Sequence, residues 1–262
     1  MARGAYWTET GGSQRNIQAT QWSQILLARD GDTAERQAAL GSIAQQYWKP
    51  VYTWLVRKGF RREQAKDITQ GFFTDVVLGR GLVSKASPNK GRFRSFLLTA
   101  VSNYANDCHR RQNAARRKPA EGLLSLEGMD TASERYDPAV EEPPDEAFHR
   151  TWAAQLLEDV IADVKDQCIR LGQQRHWDVF QRRVLNPVTR GDRPAPYATI
   201  AEELELPSAA RATTMNDTVK RKFELAMREH VRPYVASSRD VDDEIHELIE
   251  ILSSRQPASR PR

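Results

Sequence analysis

Gly91-Arg92-Phe93-Arg94-Ser95-Phe96-Leu97-Leu98-Thr99-Ala100-Val101-Ser102-Asn103-Tyr104-Ala105-Asn106-Asp107-Cys108-His109-Arg110-Arg111 carries two messages on one segment. Phe93, Phe96, Leu97, Ala100, Val101, Tyr104 and Cys108 recur at helical spacing, so one side is built for a core. Arg94, Thr99, Ser102, Asn103, Asn106, Asp107, Arg110 and Arg111 fall on the other side. Cations hold phosphates, and Asn, Ser and Thr present donors and acceptors that match base edges. The segment is therefore expected to be an amphipathic helix whose polar face meets nucleic acid.

The surrounding sequence repeats the helical period and nowhere sustains the alternation of a strand. Helices are predicted over 21–29, 33–58, 62–78 and 92–111, interrupted at Gly59-Phe60 and over 79–91. Ile43, Tyr47, Val51 and Leu55 form one buried stripe; Ala65, Ile68, Phe72 and Val76 form the next. Residues 119–144 are rich in acids, Pro and Gly and read as a flexible linker. Beyond it, Phe148, Trp152, Leu156, Val160, Val164 and Cys168 mark a long amphipathic helix, and Trp177, Phe180 and Val184 another. A short helix over 197–206, a break at Pro207-Ser208 and a longer helix over 209–230 fit a helix-turn-helix.

The expected fold is all-α: two helical domains, an N-terminal helical bundle and a C-terminal helix-turn-helix domain, joined by an acidic linker. The divisions are an N-terminal extension (1–20), the bundle (21–118), the linker (119–144), the helix-turn-helix domain (145–236) and a C-terminal helix and tail (237–262). In the tail, Val241, Ile245, Leu248, Ile249 and Leu252 share a face opposite an acidic one, so it is expected to pack on the C-terminal domain or else to serve as a docking helix for a regulator.

The formal net charge is only +4, but its distribution is uneven. The bases Lys85, Lys90, Arg92, Arg94, Arg110, Arg111, Arg116, Arg117 and Lys118 face the single acid Asp107, and the linker then reverses the sign. That change marks a segment that meets an anionic partner, followed by a solvated connector. No apolar run reaches the roughly 20 residues of a membrane span. Cys108 and Cys168 have no partner spacing and read as two buried thiols in a reducing, cytoplasmic compartment. A phosphate-binding Gly loop, metal-spaced Cys or His pairs and a nucleophile elbow are lacking, so no catalytic residue, metal or cofactor is expected.

Glu63-Gln64-Ala65-Lys66-Asp67-Ile68-Thr69-Gln70-Gly71-Phe72-Phe73 resembles a helix of the bacterial sigma-70 family of transcription initiation factors. Phe93-Arg94-Ser95-Phe96-Leu97, followed by Asn103 and by Asp107 with Arg110-Arg111, resembles their promoter-melting segment. The segment from Tyr197 onward looks like their C-terminal DNA-binding domain, and the order of parts is similar to the extracytoplasmic-function (ECF-like) group. The resemblance runs from about Trp22 to Leu252. It implies an alternative sigma factor that binds RNA polymerase core and directs promoter recognition and DNA melting.

The same resemblance implies roles for individual residues. Asp67, Gln70 and Thr74 would dock on the polymerase core. The loop over 87–92, with Asn89, Lys90 and Arg92, would capture a base flipped from the −10 element, at a few kcal/mol of unstacking. Asn103 and Asp107 would read bases there, with Arg110 and Arg111 near phosphates. At the −35 element, Arg211, Thr214 and Asn216 would face base edges and Lys220 and Arg221 phosphates. Phe93, Phe96 and Tyr104 are expected in the core. Partners would be polymerase core, promoter DNA and, in this group, an anti-sigma or other inhibitory protein, with no membrane. Two other classes fit parts of the pattern: a helix-turn-helix regulator binding duplex DNA without polymerase, and a helical adaptor whose basic segment only solvates a surface.

Overall fold

The chain is described from a computed structural model, which covers residues 21–79, 82–86, 92–117, 142–235 and 238–253. Regular structure among the described residues is helical throughout: α1 (Gln21–Asp30), α2 (Thr33–Arg57), α3 (Arg62–Gly71), α4 (Phe93–Arg117), α5 (Pro144–Arg170), α6 (Gln174–Phe180), α7 (Asn186–Arg190), α8 (Tyr197–Glu203), α9 (Ala209–Val231) and α10 (Val241–Ser253). Two π-helical stretches, Phe72–Gly79 after α3 and Gln181–Leu185 after α6, continue their helices with a wider turn. The all-α expectation holds. The N-terminal extension, most of the acidic linker, and Asn89 and Lys90 lie outside the described residues.

Local chemistry sets the helix ends. The Asp32 carboxylate accepts from the backbone N–H of Ala34 and of Glu35, both at 2.9 Å. Glu35 in turn accepts from the Asp32 N–H at 3.2 Å, closing a capping box that starts α2. Ser208 starts α9 by accepting from the Arg211 N–H at 3.2 Å. The turn before it uses Glu205 in the left-handed region (φ 52°), so α8 can end and the chain reverse within a few residues.

Packing is organised around α5. Its first half enters the same core as α1–α4: Phe148, Trp152, Ala153 and Leu156 join Ile43, Tyr47, Val51, Phe72, Phe93 and Leu97. Tyr47 sits at the middle, edge-on to Phe93 (5.7 Å between centroids) and stacked with Phe148 (6.3 Å). The Trp54 indole N–H donates to Asp145 at 2.7 Å, pinning the start of α5 to α2. Its second half, with Val160, Val164 and Cys168, packs on Trp177, Phe180, Val219 and Ala226. Each large apolar side chain buried this way contributes about 1.5–3 kcal/mol before entropy is counted. Packing thus crosses the position where the sequence placed its linker-to-domain boundary, because Phe148 and Trp152 complete the stripe that α2 leaves open.

A third cluster, Val179, Ile200, Ala201, Ala212 and Met215, holds α8 against α9. The tail helix α10 buries Val241 and Leu248. It lies on α9, as expected of the tail, and also on α5, which brings it to the start of α4.

Candidate nucleic-acid interface

On α3, Ala65 and Ile68 point inward while Asp67 and Gln70 remain exposed, as does Thr74 one turn on. Thr69 is buried and returns its hydroxyl proton to the Ala65 carbonyl at 2.6 Å, so it stays off the polar face. Asp67, Gln70 and Thr74 therefore form an uncovered polar surface on this helix and its π-helical extension. The hydroxyl of Tyr104 on α4 donates to the Asp75 carboxylate at 3.0 Å, and its ring meets Phe72 edge-on at 5.8 Å. Burial first, and the bond to Asp75 second, push the Tyr104 phenol up to about 12, so it remains a donor. Gly71 makes this contact possible, since a Cβ there would lie 2.6 Å from the Tyr104 oxygen.

Along α4, Phe93, Leu97, Val101, Tyr104 and Ala105 are buried and Phe96 is half-buried, which orients the helix as its spacing requires. Asn103 and Asn106 are exposed one turn apart, and Arg111 is exposed beyond them. Asp107 is ion-paired with Arg110, and both side chains are open to solvent. Such a surface pair is worth about 0–1 kcal/mol, so neither group is locked in place.

The basic start of α4 differs from expectation. Arg94, expected on the polar face, has only 3% of its side chain exposed. Its guanidinium pairs with Glu244 and, at 2.6 Å, with Glu247 of α10, and lies 4.5 Å from the Trp152 ring centroid. Arg92, expected at DNA, is 2.8 Å from Glu244 and is also paired with Glu247. The physical reason is α10: its apolar stripe docks on the chain, and the adjoining acids then fall beside the two arginines.

Helix α9, which follows α8 after a tight turn, presents Arg211, Thr214, Lys220 and Arg221 to solvent. Thr214 donates back to the Ala210 carbonyl at 3.1 Å, leaving its oxygen lone pairs outward. Asn216 requires a correction: it is fully buried, and its amide donates to the Tyr197 hydroxyl at 2.9 Å. A base-reading role is incompatible with that position, because the side chain ties α9 to the start of α8. Arg183 completes the lock, stacking 4.8 Å from the Tyr197 ring centroid and donating to the Ala195 carbonyl at 3.2 Å. Neither Arg183 nor Tyr197 stands out in the sequence as part of this lock. The polar Asn within the apolar stripe Ala212, Met215, Val219 was the available signal.

Among the described residues no group of three or more His, Cys, Asp or Glu side chains is arranged to hold a metal ion, and no helix is long and apolar enough to cross a membrane. Comparisons with protein-family models, with curated proteins and with solved structures find no match for this chain.

Proposed function

We propose that the chain is an alternative sigma factor of the ECF-like type, working in the cytoplasm with RNA polymerase core. In this reading Asp67, Gln70 and Thr74 dock on core, α4 recognises and helps separate the −10 strands, and α8–α9 engages the −35 element. The protein supplies recognition and strand separation, and the polymerase supplies the chemistry.

One observation carries the reading. The Tyr104–Asp75 bond and the Phe72 contact join α3 to α4, while the outward faces of both helices, Asp67 with Gln70 and Asn103 with Asn106, stay uncovered. Two polar surfaces on one rigid unit suit a protein that must grip a polymerase and a DNA strand together. Exposed Arg211, Lys220 and Arg221 on the second helix of a helix-turn-helix support a duplex contact.

The test is reconstitution. The purified chain, mixed with bacterial polymerase core, should co-elute with it and start transcripts from genomic fragments that core alone ignores. Asp67→Arg should weaken co-elution while leaving the helical content unchanged. Tight binding to duplex DNA without any association with core would overturn the proposal in favour of a polymerase-independent regulator.

A further inference from the structure

Four charges converge where α10 meets the start of α4. Arg94 and Glu244 are the inner pair, 3% and 1% exposed; Arg92 and Glu247 are the outer pair, 40% and 33% exposed. The two pairs differ in kind. Arg94 is held by both carboxylates and covered by Trp152, so removing its charge partner would strand a buried ion. Arg92 touches Glu244 at 2.8 Å on its inner side, but its outer side and Glu247 are open to water, where ions of the solvent or of another molecule can compete.

Arg92 immediately precedes α4, where the helix dipole favours an anion. The anion now at that place is carboxylate, delivered from residues far along the chain. Helix α10 is fastened there by buried Val241 and Leu248, with the exposed Arg228–Asp242 pair at 2.6 Å beside them. Its length of 13 residues keeps Glu244 and Glu247, one turn apart, on the side that meets Arg92 and Arg94.

We infer that α10 is an intramolecular competitor of nucleic acid: Glu247, with Glu244, occupies the phosphate position at Arg92 and withholds the start of α4 until a polynucleotide displaces the outer pair. Glu244 stays with Arg94, and the buried Val241 and Leu248 keep α10 attached while Glu247 gives way. This inference rests on the reading of α4 as a nucleic-acid face, but not on polymerase binding. Displacement exchanges one charge-assisted contact for another, so it is a modest barrier that low salt and high local DNA concentration overcome.

The test uses the full-length chain and a short labelled oligonucleotide of mixed sequence, single-stranded and duplex, with fluorescence anisotropy at fixed low salt. Glu247→Ala should tighten binding by about threefold to tenfold, the scale of one freed phosphate contact. Glu250→Ala makes the same charge change on an exposed position of the same helix and should leave affinity nearly unchanged. Arg92→Ala should have little effect in the parent chain yet abolish the gain in the Glu247→Ala background. Equal gains from Glu247→Ala and Glu250→Ala would overturn the inference, since bulk charge alone would explain them. So would a Glu247→Ala chain that melts cooperatively and binds no better than the parent. If Glu247→Ala fails to fold, the parent-chain result decides: a marked loss of affinity on Arg92→Ala means that Arg92 is already free to bind. Co-elution with polymerase without these gains sinks the competitor alone, whereas the gains without co-elution sink the sigma reading alone.

Discussion

The Tyr104 hydroxyl donates to the Asp75 carboxylate at 3.0 Å, joining α4 to the π-helical extension of α3. The two helices approach this closely because Gly71 lacks a Cβ, which would otherwise stand 2.6 Å from the hydroxyl oxygen. Tyr104→Phe should cost about 0.5–1.5 kcal/mol, one partly buried hydrogen bond. Gly71→Ala should be destabilising by about 1–3 kcal/mol in the parent, where the rigid ring cannot give way. In the Tyr104→Phe background the same change should be neutral, or stabilising by up to about 1 kcal/mol through helix propensity. A urea-denaturation cycle measures this, and additive costs would show that the hydroxyl is not what Gly71 accommodates.

Arg94 is the most deeply placed cation of the α4–α10 junction, and its partners decide its energetics. Glu244→Gln should destabilise the chain by about 1.5–3 kcal/mol, because the guanidinium beside Trp152 would lose its buried counter-ion and keep only the half-exposed Glu247. Replacing both partners with apolar residues, Arg94→Met with Glu244→Leu, should cost much less than the two single changes summed. Thermal melting of the three variants tests this. A single-mutant loss below about 1 kcal/mol would show the pair to be solvated in solution.

Helix positions were legible because caps and periodic stripes are local: the spacing predicted 33–58 and 209–230, and the helices span Thr33–Arg57 and Ala209–Val231. The inward direction of Phe93, Leu97 and Tyr104 was equally legible from period alone. What period does not encode is the partner. The stripe of Phe148 and Trp152 announced burial without saying that α2 would supply the other half. Arg94 looked like surface because the acids that bury it lie 150 residues away, on a helix whose own charged face looked solvated. Asn216 shows the same limit at short range, since a polar residue near a helix start reads as exposed until Tyr197 is seen to meet it.

The exposed cations of α9 should separate by their effect on salt dependence. Arg221→Ala should weaken binding to all duplexes alike and lower the slope of log affinity against log salt by about one unit. Arg211, in the first turn of the second helix, should discriminate instead: Arg211→Ala should relax sequence preference by about 1–3 kcal/mol at one base pair. Asn216→Ala should lower thermal stability without selectively changing any base preference, as its amide faces Tyr197. Anisotropy titrations on a panel of singly substituted duplexes at several salt concentrations check all three. A base-specific loss on Asn216→Ala would show that the hairpin opens on DNA.

His149 makes the fold sensitive to mild acid. Its ring lies edge-on to Phe148, 5.3 Å between centroids, with Arg94, Arg92 and Asp145 acting on it. Burial first, then Arg94, lowers it below the ordinary 6.5, with Asp145 opposing and Arg92 adding to the decrease. The folded chain therefore keeps this imidazole neutral where the unfolded chain would protonate it. Stability from this site is complete above the unfolded value of 6.5 and is lost as pH falls from there toward the lower folded value. His176 is lowered in the same sense by burial and by Arg211 and Lys222, so it adds a second share. The urea midpoint should fall between about pH 7.5 and about pH 5.5, and His149→Gln should flatten that fall while leaving the part due to His176. An identical pH profile for His149→Gln and the parent would show that the ring is solvated and that the charge of Arg94 does not reach it.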